Sequence, residues 1–107
     1  MTKKEIVARK VDRGIKLLDR EAGKRWARKI NLKDFELTNW MKCPLGQLYG
    51  EYSLGAKALT LSLYDQGKKN VFAYGFNVNN YADAPLLEAE WKRRIRLRQR
   101  RKVAKAK

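Results

Sequence analysis

Leu59-Thr60-Leu61-Ser62-Leu63-Tyr64 and Phe72-Ala73-Tyr74-Gly75-Phe76-Asn77-Val78 are the two runs whose reading decides the fold class. In the first, Leu59, Leu61 and Leu63 alternate with Thr60, Ser62 and Tyr64. In the second, Phe72, Tyr74, Phe76 and Val78 alternate with their neighbours. Both show the period of two expected of half-buried strands. Asp65-Gln66-Gly67-Lys68-Lys69-Asn70 between them suits a hairpin loop. On pattern alone, a β-hairpin over about 57–78 is favoured, and the domain is α+β. Two signals oppose it. Asp65 is a good helix N-cap, and Gly75 suits the position just past a helix end. Read that way, the segment is two short helices and the fold is mainly α.

Upstream lies Cys43-Pro44-Leu45-Gly46-Gln47-Leu48-Tyr49-Gly50-Glu51-Tyr52. Pro44 is suited to a first helical turn, where its missing N–H costs nothing. Leu45, Leu48, Tyr49 and Tyr52 then fall on one face of a short helix over about 44–52. Ser53-Leu54-Gly55 is expected to end it. Gly46 and Gly50 share a face, and each costs roughly 1 kcal/mol relative to alanine inside a helix. The structural explanation is a flat groove on which another backbone or an aromatic ring packs; the alternative is a partner or ligand on that face. Asn31 to Trp40 reads as an irregular connection anchored by Leu32, Phe35 and Leu37.

The N-terminal third is clearer. Thr2 with Glu5 forms a capping box. Val7, Val11, Ile15, Leu18 and Ala22 make an amphipathic stripe that predicts a helix over about 3–22. Its other face carries Lys3, Lys10, Arg13 and Arg20. Gly23 is expected to end it, with a second short helix over about 24–30; the alternative is one unbroken helix, since the stripe continues through Trp26 and Ile30. Asn77 to Asp83 is a loop by composition. A long helix then starts near Pro85, docking through Leu87, Trp91 and Ile95, with Glu88–Lys92 and Glu90–Arg94 in the favourable i, i+4 order. After Leu97 the apolar stripe stops. The sequence therefore predicts a globular domain over 1–97 and a frayed or disordered basic extension over 98–107.

The 107 residues suffice for one small domain, and 44% hydrophobic residues suffice for one core. No apolar run reaches the ~20 residues needed to span a bilayer, and the charged N-terminus lacks a signal-peptide core. One cysteine, Cys43, forms no internal disulfide and fits a reducing compartment. The expectation is a cytoplasmic protein without membrane attachment.

Charge is the strongest functional signal. Twenty-six Lys and Arg face 11 Asp and Glu, a net +15. Residues 1–30 carry +7, residues 31–91 carry −2 and residues 92–107 carry +10 with no acid. The middle is an ordinary globular sequence, and the two ends call for a polyanion, most often nucleic acid.

Other chemistry is poorly supplied. Cys43 beside Lys42 at a helix start could be activated as a thiolate, but the chain has no His to act as its base. A structural cysteine or N-cap is the better reading. One Cys and no His make no thiolate or imidazole cage, so no metal is expected. No phosphate loop occurs, since Gly46 and Gly50 are not followed by Lys-Ser/Thr. No cofactor and no enzymatic activity are expected.

Several stretches together resemble a family of small uncharacterised proteins from actinobacteria and their bacteriophages. They are Gly14-Ile15-Lys16-Leu17-Leu18-Asp19, Gly23-Lys24-Arg25-Trp26, Ile30-Asn31-Leu32, the Cys43–Tyr52 run, Tyr74-Gly75-Phe76-Asn77 and Leu86-Leu87-Glu88-Ala89-Glu90-Trp91. The match runs from about Gly14 to Trp91, and Leu-Gly-Gln-Leu-Tyr-Gly is its specific part. The resemblance implies a helical segment before Gly75-Phe76, which favours the mainly α fold, and it implies phage origin. It implies no biochemical role. The strong basicity and the Lys/Arg-rich tail depart from the family pattern.

The expected function is that of a small non-enzymatic nucleic-acid-binding protein. Phosphates would be held by Lys3, Lys10 and Arg13 in the N-terminal helix. Arg93, Arg94, Arg96, Arg98, Arg100, Arg101 and Lys102 would hold them in the C-terminal one. DNA and RNA stay open. The rival reading is a phage-type adaptor or inhibitor that binds a host protein, in host takeover or anti-defence, with Trp40, Tyr49 and Tyr52 as anchors. Attachment to anionic lipid ranks last, because the polybasic tail lacks an apolar face.

Overall fold

The computed structural model describes residues 1–106, with side chains through Arg100. The fold is mainly helical. Four α-helices, α1 (Lys3–Glu21), α2 (Pro44–Tyr49), α3 (Tyr52–Ala58) and α4 (Ala84–Ala106), are joined by irregular segments. These contain short 3₁₀ turns at Trp26–Lys29 and Tyr81–Asp83. Among the described residues there is no β-strand, only an isolated bridge between Ser62 and Asn70.

α1 starts on the expected capping box. The Glu5 N–H donates to Thr2 Oγ1 at 3.1 Å, and the Thr2 N–H donates to Glu5 Oε1 at 2.9 Å. Its buried face holds Val7, Val11, Ile15 and Leu18, with Gly14 and Leu17 beside them. Gly23, at φ +88°, turns the chain out of the helix, and the short helix expected over 24–30 is the 3₁₀ turn Trp26–Lys29.

α4 docks by Leu87, Trp91 and Ile95, all buried. Lys3 pairs with Asp83, Arg94 with Asp12 and Arg98 with Asp19. Because these partners advance together along both helices, α1 and α4 run side by side in the same direction. Trp91 is the centre of the core, with no exposed surface. It stacks on Phe76 at a centroid distance of 5.3 Å and meets the Trp26 ring edge-on at 6.4 Å. Its Nε1–H donates to the Gly75 carbonyl at 2.6 Å, so the buried indole leaves no unpaired donor.

The expected single helix over 44–52 is two helices. Gly50 has φ +93° and terminates α2, and Glu51 in extended conformation starts α3 at Tyr52. The two glycines therefore do different work. At Gly46 a Cβ would stand 2.5 Å from the Trp40 carbonyl oxygen, so this glycine admits a close backbone, as expected. Gly50 faces open space and supplies a left-handed turn that an L side chain resists. The second close approach comes from Gly55, where a Cβ would stand 2.7 Å from Leu45 Cβ. Ser53-Leu54-Gly55, expected to end the helix, lies inside α3.

Residues 59–78 form neither the hairpin nor two helices. Ser62 N–H donates to the Lys69 carbonyl and Val71 N–H to the Ser62 carbonyl, each at 3.0 Å, which pinches off the intervening loop. One helix-like turn follows. Asn70, not Asp65, caps it, with Oδ1 accepting from the Ala73 N–H at 2.8 Å. Gly75, at φ +75°, ends it: its N–H bonds the Phe72 carbonyl, and the Phe76 N–H bonds the Val71 carbonyl. That is the Schellman arrangement in which a C′ glycine satisfies terminal carbonyls. Leu59, Leu61, Val71 and Phe76 reach the core from this turn-rich path, so their alternation reflects burial without strand pairing.

Candidate nucleic-acid interface

Among the C-terminal cations expected to meet phosphate, several are already bound to carboxylates. Arg98 grips Asp19 with two bonds of 2.8 Å. Asp19 also accepts from Trp26 Nε1 at 2.8 Å. The Arg98 guanidinium first, and the Trp26 N–H after it, hold the Asp19 carboxyl below the usual carboxylate range, while partial burial works the other way. The same pairing pushes the Arg98 pKa up. Arg94 bonds Asp12 at 3.1 Å, and Arg93 takes Glu90 at 3.0 and 2.8 Å. Lys16, and then Arg94, keep Asp12 acidic. Lys92 sits 3.3 Å from Glu88, as the i, i+4 spacing anticipates.

Arg96 and Arg100 are exposed and make no ion pair among the described residues. The side chains of Arg101 and Lys102 lie outside the described residues, as do those of the rest of the expected extension beyond Arg100. Its first residues, however, belong to the body. Arg98 is tied to α1, and Gln99 Nε2 donates to the carbonyls of Ala27 at 2.9 Å and Ile30 at 3.0 Å. The helix thus continues through the expected 97/98 boundary.

The N-terminal cations named from sequence are not beside the tail. Lys3 pairs with Asp83 at 2.9 Å, just ahead of α4. From there to Arg98 is about 20 Å at 1.5 Å per residue. Lys10 lines a groove with Val78, Asn79 and Asp83. Arg13 donates to the Ala73 carbonyl at 2.8 Å. What the structure brings to the tail is a different set. Lys24, Arg25, Arg28 and Lys29 are exposed around the 3₁₀ turn whose Ala27 carbonyl holds Gln99. The nearby acids Asp19 and Glu21 are already paired, with Arg98 and Arg20. This end of the molecule is therefore a block of cations whose acids on α1, Asp19 and Glu21, are already paired. A signal was present in the sequence: Lys24-Arg25 and Arg28-Lys29 bracket Trp26-Ala27, an apolar pair between two basic pairs.

Trp40 and Tyr52 meet at a cleft of about 80 Å³ lined also by Asn39, Phe76, Asn77 and Tyr81. Trp40 is 57% exposed and Tyr81 76%. Tyr52 Oη accepts from Asn77 Nδ2 at 2.9 Å, and burial raises its pKa. Tyr49 packs elsewhere, against Gly55 of α3. Cys43 is buried, and its Sγ caps α2 by accepting from the Gly46 N–H at 3.3 Å. Burial pushes the thiol pKa up, the opposite of what a nucleophile requires. Among the described residues no group of three metal-ligating side chains gathers, and no helix is long and apolar enough to cross a membrane.

Fold and surface together define a small helical protein with one strongly basic end. No family model, curated protein or solved structure matches the chain.

Proposed function

We propose that this is a small non-enzymatic nucleic-acid-binding protein that grips phosphates at the end formed by α4 and the Trp26–Lys29 turn. One observation carries the reading. Gln99 fastens the basic half of α4 to the turn bearing Lys24, Arg25, Arg28 and Lys29, so cations from two sequence-distant runs share one surface. Unpaired cations there release condensed counterions when they meet phosphate, which gives strong and salt-sensitive affinity. The contacts reach backbone more than bases and carry little sequence preference. Arg96 and Arg100 lead, with Arg101 and Lys102 beyond them in the sequence, and Arg93, Arg94 and Arg98 brace the helix. The resemblance noted from sequence supports a phage-encoded protein acting in the bacterial cytoplasm.

The test is fluorescence anisotropy of labelled duplex DNA and RNA across a salt series with the full chain. Its companion carries Arg28→Gln, Lys29→Gln and Arg100→Gln. The expected slope of log affinity against log salt is about −5 to −7 for six to eight contacts, flattened by roughly 2–3 in the triple variant. Absence of binding near 0.15 M salt, where exposed charges still act over about 8 Å, overturns the reading.

A second reading, an adaptor or inhibitor of a host protein, is favoured by the exposed Trp40 and Tyr81 at the Tyr52 cleft. Exposed aromatics beside a pocket are the usual anchors of an interface. Trp40→Ala would then abolish partner capture and leave the salt-dependent binding of nucleic acid untouched.

A further inference from the structure

We propose, building on the nucleic-acid reading above, that the ligand is B-form duplex DNA. The end of α4 beyond Gln99 lies in the major groove, and the cations of the Lys24–Lys29 stretch rest on the phosphates alongside.

The first argument is the placement of the aromatic side chains. Proteins that hold single strands combine a basic groove with aromatic rings on which bases stack. Here the tryptophans of the basic end, Trp26 and Trp91, are both fully buried. The large aromatic side chains most exposed among the described residues are Trp40, Tyr64 and Tyr81. All belong to the 31–91 stretch, whose net charge is −2. The well-exposed rings thus lie outside the two basic runs, and Tyr49, near enough to Glu21 for that charge to act on its phenol, is half-buried. A half-buried ring is a poor stacking platform, which disfavours the single-strand mode at the basic end.

The second argument is shape. α4 is a 23-residue helix whose last residue bonded to the body, among the described ones, is Gln99. Residues 100–106 continue it by about 10 Å. An α-helix with its side chains is about 10–12 Å across, and the major groove of B-DNA, about 12 Å wide, accepts one. The major groove of A-form RNA is deep and too narrow for the same element. A helix in a groove has phosphates on both sides, and besides Arg98, which Asp19 holds, the helix from Arg96 to Ala106 supplies cations at 96, 100, 101, 102 and 105, with no acid among them. At 100° per residue these positions encircle the helix and form no single stripe. The Trp26–Lys29 turn, bonded to α4 through Gln99, lies at the flank where one phosphate ridge would pass.

The experiment is competition by three unlabelled probes of one arbitrary sequence against labelled duplex DNA, using the full chain at fixed salt. The probes are the DNA duplex, the RNA duplex and the single DNA strand. Duplex DNA is expected to compete at least about fivefold better than either other probe, because only its groove admits the helix. A preference below that overturns the duplex assignment, even if binding is strong and salt-dependent, which would leave the nucleic-acid reading standing. No binding to any probe overturns the parent reading instead. A second variant checks the helical mode. Val103→Pro keeps every charge and breaks the helix at the tail. It should bring the duplex preference down to within about twofold, with the single-strand affinity unchanged. Retention of the full preference would show that the helix does not enter the groove.

Discussion

Gly14 lies directly beneath the indole of Trp91. A Cβ there would stand 2.8 Å from Trp91 Cζ2 and would press on the Tyr74 carbonyl oxygen. Neither neighbour can yield. The indole is pinned by its 2.6 Å bond to Gly75 O and packed on Phe76, and Tyr74 O belongs to a backbone turn closed at Gly75. Gly14→Ala gains about 1 kcal/mol of helix propensity and loses more to overpacking, typically 1–3 kcal/mol and here at the upper end or beyond. The net expectation is a destabilisation of about 1–3 kcal/mol, read as a lower urea midpoint at unchanged m-value. A variant as stable as the parent would show that α1 and α4 can slide apart.

Asn70 is almost fully buried, and all its polar atoms are used. Nδ2 donates to the carbonyls of Gln66 and Gly67 at 3.3 and 3.1 Å, and Oδ1 accepts from the Ala73 N–H. Asn70→Asp turns both donors into an acceptor facing two carbonyls inside the protein. A buried unpaired charge is costly, so a loss of about 3 kcal/mol or more is expected at neutral pH. Protonation of the new carboxyl restores one donor, so part of the deficit should vanish as the pH is lowered. A deficit that stays constant from pH 7 down to the acid transition would contradict the hydrogen-bond assignment.

How much of this was legible depends on what each residue must touch. α1 and the docking face of α4 follow from caps and from apolar residues spaced three and four apart, which local chemistry dictates. The spacing of Gly46 and Gly50 misled, because a helical wheel presumes an unbroken helix and Gly50 breaks it. In 59–78 the alternation was real, but burial from a chain of turns produces the same period as a strand. Only the Asn70 bonds and the Gly75 backbone distinguish them. Charge could be counted from sequence but not paired. Arg94 and Arg98 find Asp12 and Asp19 at separations of 82 and 79 residues, so the cations left over for a polyanion emerge only from the packing of α4 on α1.

Asp19 links stability to pH. Its folded-state carboxyl titrates below the usual range, chiefly because Arg98 bonds the charged form. A depressed folded pKa contributes stability that is complete above the unfolded-state value and is lost as pH falls through the folded one. The parent should therefore weaken below about pH 4, near the unperturbed Asp value. Asp19→Asn should remove part of that dependence. The asparagine can still accept from Trp26, so at pH 7 the cost is confined to the Arg98 pair, about 1–2 kcal/mol for a partly exposed charged hydrogen bond. Identical pH profiles for the two proteins would place the acid sensitivity elsewhere.

Cys43 should behave as an inert cap. Its thiol is buried, accepts from the Gly46 N–H, and is pushed up in pKa by desolvation. Reaction with a disulfide reagent in the native protein should be far slower than in urea and should follow unfolding, since the thiolate is the reactive form. Rapid native labelling would show an accessible thiolate and reopen a chemical role for this residue.

The sharpest check on the boundary of the domain is a pair of truncations. Ending the chain at Leu97 removes both Arg98–Asp19 bonds and the two carbonyl bonds of Gln99. The carboxylate of Asp19 and the carbonyls of Ala27 and Ile30 would then lose protein partners. Ending it at Arg100 leaves all of these in place and deletes only the run from Arg101 onward. With hydrogen bonds to charged groups worth about 1.5–3 kcal/mol and neutral ones about 0.5–1.5 kcal/mol, discounted for partial exposure, the shorter chain should be less stable by about 2–4 kcal/mol. Chemical denaturation of the two proteins measures the difference. The longer truncation should match the full chain in stability while showing a flatter salt dependence of nucleic-acid binding. Equal stability of the two truncations would mean that α4 holds to the body only through Leu87, Trp91 and Ile95, and that the cations beyond them are free of it.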